Sequence, residues 1–231
     1  MSEEVGATPR DRICRALLVG ALVAGVGYVL SWSLPLPLAA SVTLKGAGVT
    51  QLALYAGLKA RNLDGWLICV ALAFGALGDV LLDAMGLTAG ALAFSAGHVT
   101  AIALYLRNRR HVLSAREMFL VLALAPVATA AAFWLPADQT RATYTAIYGL
   151  SLALMAATAW TSTFPRERTG VGALMFAVAN ILIYARLGAL AHAPGIDLAI
   201  WSLYFGGQVL ICLGVTGALA KLGGRPVFPT F

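Results

Sequence analysis

The chain has 231 residues, of which 60% are hydrophobic and only 11% charged, and its mean hydropathy is +0.84. Soluble domains are about half apolar and about a quarter charged, so this composition excludes a cytosolic enzyme, a disordered chain and a secreted disulfide scaffold. An all-α, polytopic integral membrane protein remains. A membrane helix needs about 20 apolar residues, so the length admits a bundle of eight transmembrane helices with short loops and no second folded domain. The net charge of +6 reads as membrane topology and not as nucleic-acid binding. Cys14, Cys69 and Cys212 lie far apart without a CxxC motif, so neither a metal knuckle nor a redox pair is expected, and no cofactor.

In chain order, residues 1–12 form a short polar N-terminus. The first apolar stretch, about 13–33, is followed by no small-residue cleavage site and reads as a retained helix, not a signal peptide. Pro35 and Pro37 end it. The second stretch covers about 38–58 and stops at Asn62-Leu63-Asp64. The third and fourth, about 66–85 and 87–106, are separated by Gly86. The fifth covers 117–135 and ends at Pro136. The sixth covers 142–162 and precedes Pro165. The seventh is expected over 171–191, before Pro194-Gly195, and the eighth over 198–220. The transmembrane domain is thus expected over 13–222, with a tail at 223–231. Lipid offers no partner to open backbone groups, so spans of this length are helices.

The basic residues orient the bundle. Thirteen of the 16 Lys and Arg fall on the side of the N-terminus: Arg10, Arg12, Arg15, Lys59, Arg61, Arg107, Arg109, Arg110, Arg116, Arg166, Arg168, Lys221 and Arg225. Only Arg141 falls on the other side, while Lys45 and Arg186 lie within spans. Basic loops stay cytoplasmic, so both termini are expected there, in a bacterial inner membrane.

Polar side chains at membrane depth are costly and mark functional sites. Counting about 1.5 Å per residue places Lys45, Asp79, His98, Tyr148, Asn180, Arg186, Tyr204 and Gln208 in one layer, from mid-membrane to the outer third. Tyr204 and Gln208 share a helix face. Structural alternatives exist: Lys45 and Arg186 can snorkel, the tyrosines can join an aromatic belt, and His98 can bridge two helices. Asp79 is too short to snorkel far and is the strongest functional candidate; Asp83, one turn on, reads as wet. A pair between Asp79 and Lys45 would leave Arg186 free to bind a lipid phosphate. One polar cavity among the second, third, fourth, seventh and eighth helices is expected, lined by Lys45, Asp79, His98, Asn180, Tyr204 and Gln208. A single deep histidine excludes a two-histidine haem, and neither GxSxG nor HExxH occurs.

These residues lie in blocks that resemble the YhhN-like family of membrane lysoplasmalogenases. The blocks are Gly78-Asp79-Val80-Leu81-Leu82, the Gly90…Phe94…His98 spacing, Lys45-Gly46, Tyr148 through Met155, Gly172 through Phe176, and Tyr204-Phe205-Gly206-Gly207-Gln208. Two departures stand out: Ala179-Asn180 replaces the family's usual Ser-Asp, and Ala101 stands where a tyrosine is common. The resemblance implies eight helices and hydrolysis of the vinyl ether of a lysoplasmalogen, a lysophospholipid, to a fatty aldehyde and a glycerophospho-alcohol. It implies catalytic roles for Asp79, His98 and position 180, and substrate contacts for Lys45, Tyr148, Tyr204 and Gln208, to which the charge sum adds Arg186 as a phosphate contact. The alternative is a lipid-binding or lipid-transport protein that keeps the fold without the catalysis.

Overall fold

A computed structural model describes residues 8–223. Residues 1–7 and 224–231, which include most of the expected polar N-terminus and tail and the counted Arg225, lie outside the described residues. Among the described residues there are eight long helices: α1 Pro9–Ser31, α2 Leu38–Lys59, α3 Leu63–Met85, α4 Leu87–Arg107, α5 Ala115–Trp134, α6 Ala142–Thr161, α7 Val171–Arg186 and α8 Ile196–Lys221. A 3-10 turn at Gln139–Arg141 precedes α6, and a π-helical turn at Arg166–Gly170 runs straight into α7. No strand occurs among the described residues; two isolated bridges, Arg109 with Ser162 and Pro136 with Gly188, tie loops together.

Local chemistry sets several boundaries. Thr8 and Asp11 form a reciprocal cap at the start of α1, with Pro9 in the first turn. Asn62 caps α3 through the Gly65 amide, and Ser114 with Glu117 caps α5. Gly86 reverses the chain between α3 and α4 at φ +91, a conformation that favours glycine. The expected seventh helix is corrected: it ends at Arg186, not at 191, and residues 187–195 form turns. The loop after α5 packs on this reversal, with the Ala137 amide donating to the Leu187 carbonyl at 3.1 Å. A side chain at Gly188 would collide with the Leu135 carbonyl. Arg186 is therefore the last helical residue of α7 and not a mid-span charge.

Seven of these helices are long and apolar enough to cross a membrane. Helix α2 is the exception, because Ser41, Thr43, Lys45, Thr50 and Gln51 dilute its apolar residues. It nevertheless packs along both α1 and α3. Helix α8 packs on α7, α2 and α3, and α4 packs on α3 and α6. Helices α1 and α5 lie at the periphery; only Ala128 and Ala132 of α5 are buried. Large apolar side chains such as Val23, Leu30, Leu92, Phe119 and Ile147 point outward and are exposed, the reverse of a soluble domain and suited to lipid. Small residues bring the helices close. A Cβ at Gly207 would lie 2.6 Å from the Gly172 carbonyl oxygen, so α7 and α8 cross backbone to backbone.

One end of the bundle is tied by charge. Arg107 Nε contacts buried Asp64 at 2.8 Å, and Glu117 receives both Arg110, at 3.0 Å, and Arg166. Arg110 also donates to the Ser162 and Trp160 carbonyls. The ends of α4 and α6 and the start of α5 are thereby held on the same side.

Candidate functional site

At the opposite end, a cavity of about 310 Å³ opens between α1, α2, α3, α4, α7 and α8. Its polar lining comprises Lys45, Asp79, Asn180, Arg186, Asp197 and Tyr204. Aromatic rings of Tyr28, Trp32, Phe94 and Trp201 form the rest of its wall. Five expected residues therefore share one cavity: Lys45, Asp79, Asn180, Arg186 and Tyr204.

Asp79 sits in the penultimate full turn of α3 and is 2% exposed. Its Oδ2 accepts from the Tyr204 hydroxyl at 2.8 Å. Its other oxygen has no protein donor among the described residues and belongs to the wall of the cavity. Tyr204 is itself fixed by rings, with Phe176 at 5.3 Å, Trp201 at 5.7 Å and Phe94 at 6.1 Å between centroids. The Phe94 ring can approach because position 78 is glycine; a Cβ there would lie 2.6 Å from that ring.

The expected ion pairing is corrected. Lys45 Nζ contacts Asp83 at 2.7 Å and does not hydrogen-bond Asp79. One helical turn separates the two aspartates, and Asp83 lies nearer the end of α3, level with a lysine two turns into α2. Arg186 is likewise not free; it contacts Asp197 of α8, and both side chains remain partly exposed at the cavity rim. Each cation thus has its own carboxylate, and Asp79 is left with a neutral hydroxyl as its partner.

Position 180 is matched on both sides. Asn180 Nδ2 donates to the Phe176 carbonyl at 2.9 Å, and Oδ1 accepts from the Tyr148 hydroxyl at 2.6 Å. Tyr148 does not line the cavity; it backs Asn180 from α6 and borders a separate apolar cleft of about 150 Å³ between α4, α6 and α7.

His98 and Gln208 are also displaced from the expected cavity. Both line a separate, small pocket of about 30 Å³, whose wall also includes Phe94 and Phe176. The reason is helical register. His98 lies one turn beyond Phe94 on α4, and Gln208 one turn beyond Tyr204 on α8. Both lie near the middle of their helices, as counted, but a turn beyond the residues that reach the main cavity, and Phe94 lines both pockets. His98 Nδ1 lies 3.0 Å from Ser151 Oγ. That hydroxyl already donates its one proton to the Tyr148 carbonyl at 2.8 Å. Nε2 has no protein partner among the described residues.

The sequence reading missed four contributors: Tyr28 on α1, Trp32 at its C-terminal cap, and Asp197 and Trp201 on α8. Spacing carried a signal for three of them. Tyr28 and Trp32 are four apart at the C-terminal end of α1, and Trp201 is three before Tyr204, so each pair shares a helix face. Trp201 Nε1 donates to the Gly25 carbonyl at 2.9 Å, which draws α1 onto the cavity.

Fold and site together define a multi-pass helical membrane protein with a buried carboxylate in a polar cavity near one membrane face. The YhhN family profile matches residues 40–215, and the chain belongs to that family. That range contains every expected site residue. Neither a curated protein nor a solved structure matches the chain.

Proposed function

We propose that the chain is a lysoplasmalogenase-type hydrolase of the bacterial inner membrane, spanning it eight times with both termini cytoplasmic. Side-by-side packing of α2 with α1 and α3 supports the eighth span, since a helix lying outside the bilayer could not run along two that cross it. Its one charged side chain within the span, Lys45, then faces the cavity. Family membership supports the reaction class, and the observation that carries it is Asp79: a deeply buried carboxyl held by Tyr204 with one oxygen on the cavity.

Vinyl ether hydrolysis starts with proton transfer from an acid to the outer vinyl carbon. The electron pair of the double bond forms the new C–H bond, and oxygen stabilises the cation left on the adjacent carbon. In this reading Asp79 is the proton donor and Tyr204 holds its carboxyl in place. The carboxylate then stabilises the oxocarbenium ion and takes a proton from the attacking water, which regenerates the acid. Collapse of the hemiacetal releases aldehyde and the glycerophospho-alcohol, so one water is consumed per bond cleaved. Asn180, with both polar atoms engaged, positions Tyr148 and Phe176 and leaves the proton work to one acid. The lysophospholipid headgroup lies at the rim, where its phosphate competes with Asp197 for Arg186; the alkenyl chain follows the aromatic wall. His98 is separated from Asp79 by Phe94, which removes it from direct proton transfer to substrate.

The test is aldehyde release from a defined lysoplasmalogen by purified wild type beside Asp79→Asn. Release by wild type and its loss in the variant support the reading. Equal release by both removes Asp79 from the chemistry. Saturable lipid binding without release by either points to the alternative, a lipid-binding or lipid-transport protein on this fold.

A further inference from the structure

We propose that a second site, at the end of the bundle opposite the main cavity, binds the phosphate of an anionic phospholipid. A cleft of about 280 Å³ lies there between the start of α1, the α2–α3 turn and the end of α8. Three cations line it, Arg10, Lys59 and Arg61, together with one carboxylate, Asp11. Asp11 is occupied by its own helix cap: its Oδ2 accepts from the Thr8 hydroxyl at 2.7 Å and the Thr8 amide at 3.2 Å.

The three cations share one cleft and differ from the clamp arginines at this end. Arg107, Arg110 and Arg166 are each matched to Asp64 or Glu117, whereas none of Arg10, Lys59 and Arg61 contacts a carboxylate among the described residues. Arg10 is preorganised, since its Nε and a second guanidinium nitrogen donate to the Leu58 carbonyl at the end of α2. The Lys59 ammonium is held 4.8 Å from the centroid of the Tyr55 ring. Two anchored cations and Arg61 around one concave site leave a positive charge that a phosphate neutralises.

The source of the phosphate follows from what borders the cleft. Ile13 adjoins Cys14 of the lining, Leu63 adjoins Asn62, and Trp66 adjoins Gly65; all three are exposed large apolar side chains. A headgroup in the cleft places its acyl chains against this surface. Basic pockets between membrane helices on the cytoplasmic side recognise anionic headgroups in this manner. A bound lipid bridges α1, α2, α3 and α8, the helices that carry Tyr28, Lys45, Asp79 and Tyr204 to the main cavity. This binding site does not depend on the hydrolase reading.

The experiment follows thermal unfolding of the full chain in neutral detergent. It titrates phosphatidylglycerol, phosphatidylcholine or glycerol 3-phosphate, for wild type and two double variants. Arg10→Gln with Arg61→Gln alters the cleft; Arg109→Gln with Arg116→Gln removes the same charge elsewhere at that end. Phosphatidylglycerol is expected to raise the unfolding temperature saturably in wild type and in the second variant. In the first variant half-saturation should weaken by about tenfold or more. Phosphatidylcholine should have little effect. An equal, saturable shift by glycerol 3-phosphate supports the phosphate site and assigns a soluble ligand. Equal weakening in both variants overturns the site, because the response then follows net charge alone. So does an equal response to phosphatidylcholine. If the first variant does not fold, lipid retained by wild type decides by native mass spectrometry. Anionic lipid should stay bound, and a retained population in proportion to the lipid supplied overturns the site.

Discussion

Asp79 and Asn180 line one cavity, but their hydrogen bonds differ in kind. Asp79 accepts from one hydroxyl and keeps an oxygen for the cavity, whereas Asn180 spends an acceptor on Tyr148 and a donor on Phe176. Replacing Asp79 by Asn leaves shape and polarity while removing the transferable proton. Turnover should fall by about 10²–10⁴, the usual loss for a general acid or base, with lipid binding retained in a direct binding assay. Tyr204→Phe should lower kcat with a smaller change in KM, since the phenol orients Asp79 and does not meet the substrate headgroup; an effect on KM alone would place Tyr204 in binding. Position 180 offers one donor and one carbonyl acceptor. An aspartate satisfies both only as the neutral acid, donating to Phe176 and accepting from Tyr148. Asn180→Asp therefore supplies a second, protonated carboxyl beside Asp79, and the two roles can divide as they do in glycosidases. We expect faster aldehyde release from Asn180→Asp than from wild type. A folded variant with no gain would mean that Asn180 suits a different substrate.

The pair α7–α8 carries Asn180 and Tyr204, and the distance between the helices is set by Gly172 and Gly207. A Cβ on either glycine would approach the other's carbonyl oxygen to 2.6–2.7 Å, a contact that neither backbone can avoid by a side-chain rotation. Gly207→Val should therefore separate the helices and lower stability, by about 1–3 kcal/mol if it behaves like other overpacked positions. Activity should fall further than stability, because the same shift moves Tyr204 away from Asp79. Gly217→Ala is the matched control, since nothing lies within 4 Å of its added Cβ. Thermal unfolding in detergent, run beside aldehyde release, reads both effects. Equal stability of the two variants would show that the crossing has slack.

At the scale of the molecule, the charged clamps join like ends of helices. Glu117, at the start of α5, receives Arg110 from beyond α4 and Arg166 from beyond α6, and Arg10 reaches the end of α2. Basic residues thus collect at one end and the main cavity opens at the other, which the positive-inside rule turns into an orientation. Ala137 and Ser114 are both exposed, in loops at opposite ends. Single cysteines in a background lacking Cys14, Cys69 and Cys212 should be labelled from outside intact cells at 137 and not at 114. The reverse pattern would invert the protein, and labelling of both would undo the span count.

Composition and hydropathy already determined the membrane class, the eight helices and the clustering of basic residues, because apolar length and loop charge are local properties that survive without any neighbour. The Gly78-Asp79 and Tyr204…Gln208 blocks also pointed to the family. The partners of the charges were decided only in three dimensions. A count of 1.5 Å per residue gives depth but not azimuth, so Lys45 was matched to Asp79 when the register of α2 on α3 brings it to Asp83. The same count put His98 and Gln208 in one layer with Asp79, although they line a different pocket. Likewise, α1 joined the cavity wall through the Trp201 bond to the Gly25 carbonyl, a contact between residues 176 positions apart that no local pattern encodes.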